Sequence, residues 1–180
     1  MLHRCSGYSP TRELVWDEML SAGYVSLILA HALCAIVGFG ALAATGAYAQ
    51  AVRSSRDPFS SETLRRFFRP GHNVASATIV AVPILGGCLL VAQHGRDVHL
   101  AYPWIGLACW GVAATVAATV VWPAERKLQS MLAPSNEDAS LVITDESRGV
   151  LDTVATRCFT GASVTTLCFV VAVVVMLVQP

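Results

Sequence analysis

Four stretches of the chain carry no Asp, Glu, Lys or Arg: between Glu18 and Arg53, between Arg69 and Arg96, between Asp97 and Glu125, and from Arg157 onward. A helix crossing the hydrocarbon core of a bilayer needs about 20 apolar residues. Each stretch is long enough for one crossing and none is long enough for two. The sequence therefore predicts an all-α polytopic membrane protein, a four-transmembrane-helix bundle forming a single domain over residues 1–180. The expected spans are 23–47, 73–93, 102–121 and 159–178, joined by loops at 48–72 and 122–158 and by a short middle connection. Buried helices of a water-soluble protein would keep a polar face, and these runs leave none.

Only 13% of residues are charged, about half the usual share for a soluble domain, while 54% are apolar. Twelve basic residues balance twelve acidic ones, which argues against nucleic acid as a partner. Trp104 and Trp122 are 18 residues apart, or about 27 Å of helix. Indole rings favour the two membrane interfaces, so this pair is expected to set the depth of the third span. Pro103 and Pro123 lie beside them, where a proline costs a helix least.

The basic residues orient the bundle. Arg53, Arg56, Arg65, Arg66 and Arg69 lie in the first loop, and Arg126, Lys127, Arg148 and Arg157 in the third. Only Arg4, Arg12 and Arg96 lie on the opposite side, a bias of nine to three. The positive-inside rule then makes loops 1 and 3 cytoplasmic and puts both termini outside. The first 18 residues lack the apolar segment of a cleavable signal, so the first span is expected to act as the insertion signal. Eleven Arg against one Lys, with abundant Ala and Val, fits a high-GC bacterium and hence its plasma membrane.

Local patterns add detail. Asp57-Pro58 with Ser60 and Ser61 reads as a turn followed by an N-cap. Residues 61–68 read as a short amphipathic helix whose Phe67 and Phe68 dip into the interface. Its arginines, together with Arg53, Arg56 and Arg69, then face lipid headgroups. Residues 124–132 extend the third span, Pro134 and the polar residues after it break the helix, and Thr144 or Asp145 caps a helix running into the fourth span. Pro83 followed by Gly86-Gly87 predicts a kink in the second span. Small residues recur at helical spacing as Ala35, Gly38, Ala41 and Thr45 in the first span, and as Ala108, Gly111, Ala114 and Ala118 in the third. Such stripes let backbones approach closely within a bilayer. One of the two is expected to be consumed inside the bundle, leaving the third-span stripe for a partner. The six cysteines have neither disulfide-framework nor zinc spacing and read as small packing residues.

His31 is the only ionisable His, Asp, Glu, Lys or Arg well inside a span. An intramembrane ionisable group is a functional candidate. Neutral imidazole is also the cheapest of these groups to bury, and a histidine hydrogen-bonded to a neighbouring helix is the main expectation. The alternatives are contact with haem, copper or quinone, and a proton relay. A copper set would draw on His31, His94 and His99, since copper accepts imidazole. A bis-histidine haem needs a second in-membrane histidine, and there is none. No acidic pair, Ser/His/Asp grouping or glycine-rich phosphate loop appears, so no catalytic residue is named and no cofactor is firmly expected.

The segments His31–Gly40, Arg53–Arg69, Pro83-Ile-Leu-Gly-Gly87, Pro103-Trp104 and Pro123-x-x-Arg126 resemble a family of bacterial four-helix integral membrane proteins distantly similar to the copper-resistance membrane protein D group. The resemblance implies a four-span fold. A helix-1 histidine also begins the four-helix bacterial protoporphyrinogen oxidases, which pair it with a basic residue in helix 3. Helix 3 is uncharged here, and the pattern departs from that oxidase. The packing stripes and the lack of a catalytic set suit an accessory or structural subunit of a larger membrane complex, with respiratory complexes as the host class and other membrane subunits and the lipid bilayer as partners.

Overall fold

The computed structural model describes residues 10–69, 74–92, 99–133 and 145–178. Among these residues every regular element is a helix. Helix α1 runs Pro10–Ser54 and the short α2 covers Glu62–Phe67. A 3-10 segment, Val74–Val80, leads into α3, Ala81–Ala92. Helix α4, Ala101–Val116, passes through a π turn, Ala117–Val121, into α5, Trp122–Leu132. The last helix, α6, is Asp145–Leu177.

Three helical stretches are long and apolar enough to cross a membrane: Ala22–Ser54, Ala101–Leu132 and Glu146–Leu177. The apolar stretch Ser76–Ala92 is shorter. The expected first and third spans thus lie inside helices that overrun them, and the fourth coincides with the second half of α6, which ends at Leu177. At 1.5 Å per residue the 45 residues of α1 extend about 67 Å, more than twice the hydrocarbon thickness. Much of α1 must therefore project beyond any bilayer it crosses.

The departures from α geometry sit just ahead of prolines. Pro123 lacks an N–H, and in a straight α-helix its ring would collide with the Thr119 carbonyl four residues back. The π turn at Ala117–Val121 inserts the extra residue that relieves this crowding, and the helix continues to Leu132. Thr115 and Thr119 also donate back to the Gly111 and Thr115 carbonyls, which loosens the same stretch. Pro83 stands in the first turn of α3, where a missing N–H costs least. The second apolar helix is irregular in the 3-10 segment preceding Pro83, and α3 continues as α-helix through Gly86-Gly87. Helix α5 ends at Leu132 because Ala133, preceding Pro134, is forced to extended backbone with ψ 139°.

The described helices pack in the order α3, α1, α6, α4: α1 lies along both α6 and the 3-10/α3 helix, and α4 and α5 lie on α6. Close approach is set by three glycines. A Cβ on Gly46 would come within 2.6 Å of the Ala162 Cβ. One on Gly161 would come within 2.9 Å of Val121, and one on Gly38 within 2.8 Å of the Ile79 backbone nitrogen. These contacts join α1 to α6, α6 to the π turn, and α1 to the 3-10 segment.

The core is confined to one half of the molecule, the loop end, which carries α2 and α5. Leu42, Val52, Leu64, Phe68, Ile79, Val121, Leu128 and Leu151 are buried there. None of the described side chains at 22–37, 81–92, 99–112 and 166–178 is buried. That opposite half, the terminal end, is held by side-by-side helices that present Leu29, Leu33, Ile84, Val91 and Leu167 outward. Apolar surface on this scale is what a lipid solvent tolerates and water does not.

Helix α2 departs from its expected setting. Phe68 is 2% exposed, and Phe67 stacks on Tyr48 of α1 with ring centroids 3.8 Å apart. Both rings pack inward against the bundle, so α2 plugs the loop end instead of dipping its aromatics into the interface. Asp57 Oδ1 accepts the Phe59 and Ser60 amides, giving the expected turn ahead of Ser61, which occupies the N-cap position of α2 without a side-chain capping hydrogen bond.

Candidate functional site

His31 lies on the α1 face that meets α3. A Cβ on Gly86 would be 3.3 Å from the imidazole Cε1, and the ring rests against the Val82 backbone. Glycine at 86 is what lets the ring sit this close to α3. The ring is half-buried, and its Nδ1 is the buried side-chain nitrogen or oxygen without a hydrogen-bond partner among the described residues. His99 is exposed at the start of the third apolar helix. His94 lies outside the described residues. Among the described residues no three His, Cys, Asp or Glu side chains gather into a metal-holding group. Cys34, Cys88, Cys109, Cys158 and Cys168 are free thiols, and Cys5 lies outside the described residues.

Two polar contacts join distant helices near the 3-10 segment. The Trp110 indole Nε1 donates to the Ile79 carbonyl at 2.8 Å. In a continuous α-helix that carbonyl would accept from residue 83, where proline has no N–H to give. Trp122 Nε1 donates to Ser76 Oγ at 3.2 Å. Trp122 is half-buried and engaged with the 3-10 segment, whereas Trp104 is 59% exposed. Thr78 Oγ1 donates to the Cys34 carbonyl at 3.3 Å, tying the same segment to α1.

The small-residue stripes separate. In α1, Gly38 and Thr45 are buried and Ala35 and Ala41 half-buried. In α4, Ala108 is exposed, Gly111 and Ala114 half-buried, and Ala118 in the π turn exposed. A Cβ on Gly111 would meet nothing within 4 Å. The buried face of this helix is instead Ala113, Ala117 and Val121. A third stripe, on α6, was not expected: Ala155, Cys158, Ala162 and Thr165 are all buried. Its three- and four-residue spacing follows the same rule that picked out the other two. Buried Glu125, whose Oε1 accepts from Gln129 at 3.1 Å, was also not singled out. Its place in an amphipathic stretch beside arginine and lysine gave no sign of burial.

The loop end is basic at its surface. Arg53 pairs with Asp152 at 3.1 Å, and Arg148 reaches the Ser55 carbonyl at 3.4 Å. These contacts bind the end of α1 to the start of α6. Arg56, Arg65, Arg66 and Arg69 are exposed. Comparison with protein-family models, curated proteins and solved structures finds no match to this chain.

Proposed function

We propose that this chain is a four-span integral protein of a bacterial plasma membrane, with both termini outside, serving as a non-catalytic structural subunit of a larger membrane complex. The observation that carries the role is the unfilled space at Gly111. Gly38, Gly46 and Gly161 each have an internal neighbour that explains the absence of a side chain; Gly111, like Gly40 and Gly87, has none, and of these three it is the one that stands in a small-residue stripe, with Ala108, Ala114 and Ala118. It lies among exposed Ala108, Val112 and Thr115 on a face that α4 does not use within the chain. A helix from another subunit is the partner such a face admits, since close backbone approach drives association in lipid. The fourth crossing is supported by length. At about 2.0 Å per residue in the 3-10 segment and 1.5 Å in α3, residues 74–92 reach about 32 Å, enough for the hydrocarbon core. Gly111→Leu is expected to release the protein from its complex while the protomer stays folded and inserted. A wild-type protein that migrates as a lone 19.1 kDa species in mild detergent, with no co-purifying subunit, overturns the role.

One observation favours a second reading, a membrane redox protein contacting copper, haem or quinone: the unpartnered Nδ1 of His31. The described residues supply no second in-membrane histidine, so a bis-histidine haem does not fit. A single imidazole ligand, or a hydrogen bond to a quinone oxygen, does. A visible absorption band or stoichiometric copper lost in His31→Gln would establish this reading over a histidine that serves packing alone.

A further inference from the structure

The loop end holds a cleft of about 850 Å³ between α2 and α5. Its lining includes Arg65, Arg66 and Arg69 against one carboxylate residue, Glu62, with Phe68 and Leu132 almost wholly buried beneath. The three arginines are exposed, and among the described residues none of them lies within ion-pair distance of a carboxylate. They are not on a loose loop. Phe67 is stacked on Tyr48 and Phe68 is buried, so α2 is clamped to the bundle and its guanidinium groups are held over the cleft. On the opposite wall, Gln129 is engaged with Glu125.

We propose that this cleft binds one anionic phospholipid headgroup, its phosphate on Arg65, Arg66 and Arg69. Three adjacent positive groups answer a phosphate, for which guanidinium provides paired donors. Phe68 and Leu132 are buried beneath them, so the source of the phosphate is the bilayer around the apolar helices, which presents anionic headgroups at their ends. The proposal rests on membrane embedding and not on the subunit role, so it can fail or hold independently of the complex.

Each basic residue close to an anionic lipid surface strengthens binding about fivefold, so three exposed arginines give a preference on the order of 100-fold. The full-length protein is reconstituted into vesicles of 70% phosphatidylcholine and 30% phosphatidylglycerol, re-extracted in mild detergent, and its retained lipids counted by native mass spectrometry. Wild type is expected to keep one phosphatidylglycerol in preference to phosphatidylcholine. The Arg65→Gln/Arg66→Gln/Arg69→Gln variant is expected to lose that preference at least tenfold, while Arg126→Gln/Lys127→Gln, which removes two exposed charges from the same end outside the cleft, keeps it. Equal retention in the triple variant and wild type overturns the proposal. So does full displacement of the lipid by 10 mM inorganic phosphate, which would mark a free-phosphate site. A measurement on wild type alone guards against misfolding of the variant. Amide exchange across residues 62–69 should slow at least about threefold in phosphatidylglycerol nanodiscs relative to phosphatidylcholine nanodiscs, and identical exchange in the two also refutes the site.

Discussion

Trp110→Phe removes one hydrogen-bond donor while keeping an aromatic ring between α4 and the 3-10 segment. The lost bond is the 2.8 Å contact to the Ile79 carbonyl. Interhelical hydrogen bonds in bilayers average about 0.6 kcal/mol and reach about 1.7. Here the acceptor is the carbonyl whose α-helical donor is missing because residue 83 is proline, so the cost belongs in the upper part of that range, about 1–1.5 kcal/mol. Pro83→Ala supplies the missing backbone N–H. In that background the Ile79 carbonyl has an alternative donor, and Trp110→Phe should cost about 0.5 kcal/mol or less. The two substitutions are therefore expected to couple by about 0.5–1 kcal/mol, above the roughly 0.3–0.5 kcal/mol within which independent sites add. The assay is reversible unfolding by sodium dodecyl sulfate in mixed micelles, followed by far-ultraviolet circular dichroism, since a fluorescence readout would lose one of its own reporters. An identical cost of Trp110→Phe in both backgrounds would show that the indole contributes only packing and would refute the account of Pro83.

The glycines offer a contrast within one helix: Gly46→Leu, whose Cβ alone would lie 2.6 Å from Ala162, should destabilise by about 3 kcal/mol in the same assay, whereas Gly40→Leu, with nothing within 4 Å, should be neutral or slightly stabilising. Equal effects at the two positions would mean that α1 and α6 do not meet at Gly46. For orientation, Ser60→Cys and Ser130→Cys on a cysteine-free background should resist impermeant thiol reagents in intact cells, while His99→Cys should react; all three side chains are exposed. Labelling of the two serine positions without labelling at 99 reverses the topology drawn from the basic residues.

Much of the helical architecture was legible in the sequence because it depends on interactions within a few residues. Uncharged runs marked the apolar helices, since each backbone group is satisfied inside its own helix and only side-chain polarity decides whether lipid can surround it. The turn at Asp57, the extension of the third helix to Leu132, its stop before Pro134 and the helix beginning at Asp145 follow from local hydrogen bonding and proline sterics. The second apolar helix was less legible. Proline signalled a disturbance, but not that it would fall in the turn before the proline as 3-10 geometry.

What the sequence could not assign was which face of each apolar helix points inward. In a soluble helix the apolar stripe marks the core, but a helix apolar on all sides has no such direction. Only the tertiary structure decided that the α1 stripe turns inward with Gly38 against Ile79, that Gly46 beside it meets an α6 stripe at Ala162, and that Gly111 stays open. It also turned Phe67, Phe68 and Trp122 inward, where their partners Tyr48 and Ser76 lie on other helices. Trp110 meets Ile79 across 31 positions of chain, and Arg53 meets Asp152 across 99. Local composition leaves no trace of such pairings, because they depend on how the helices are arranged around one another.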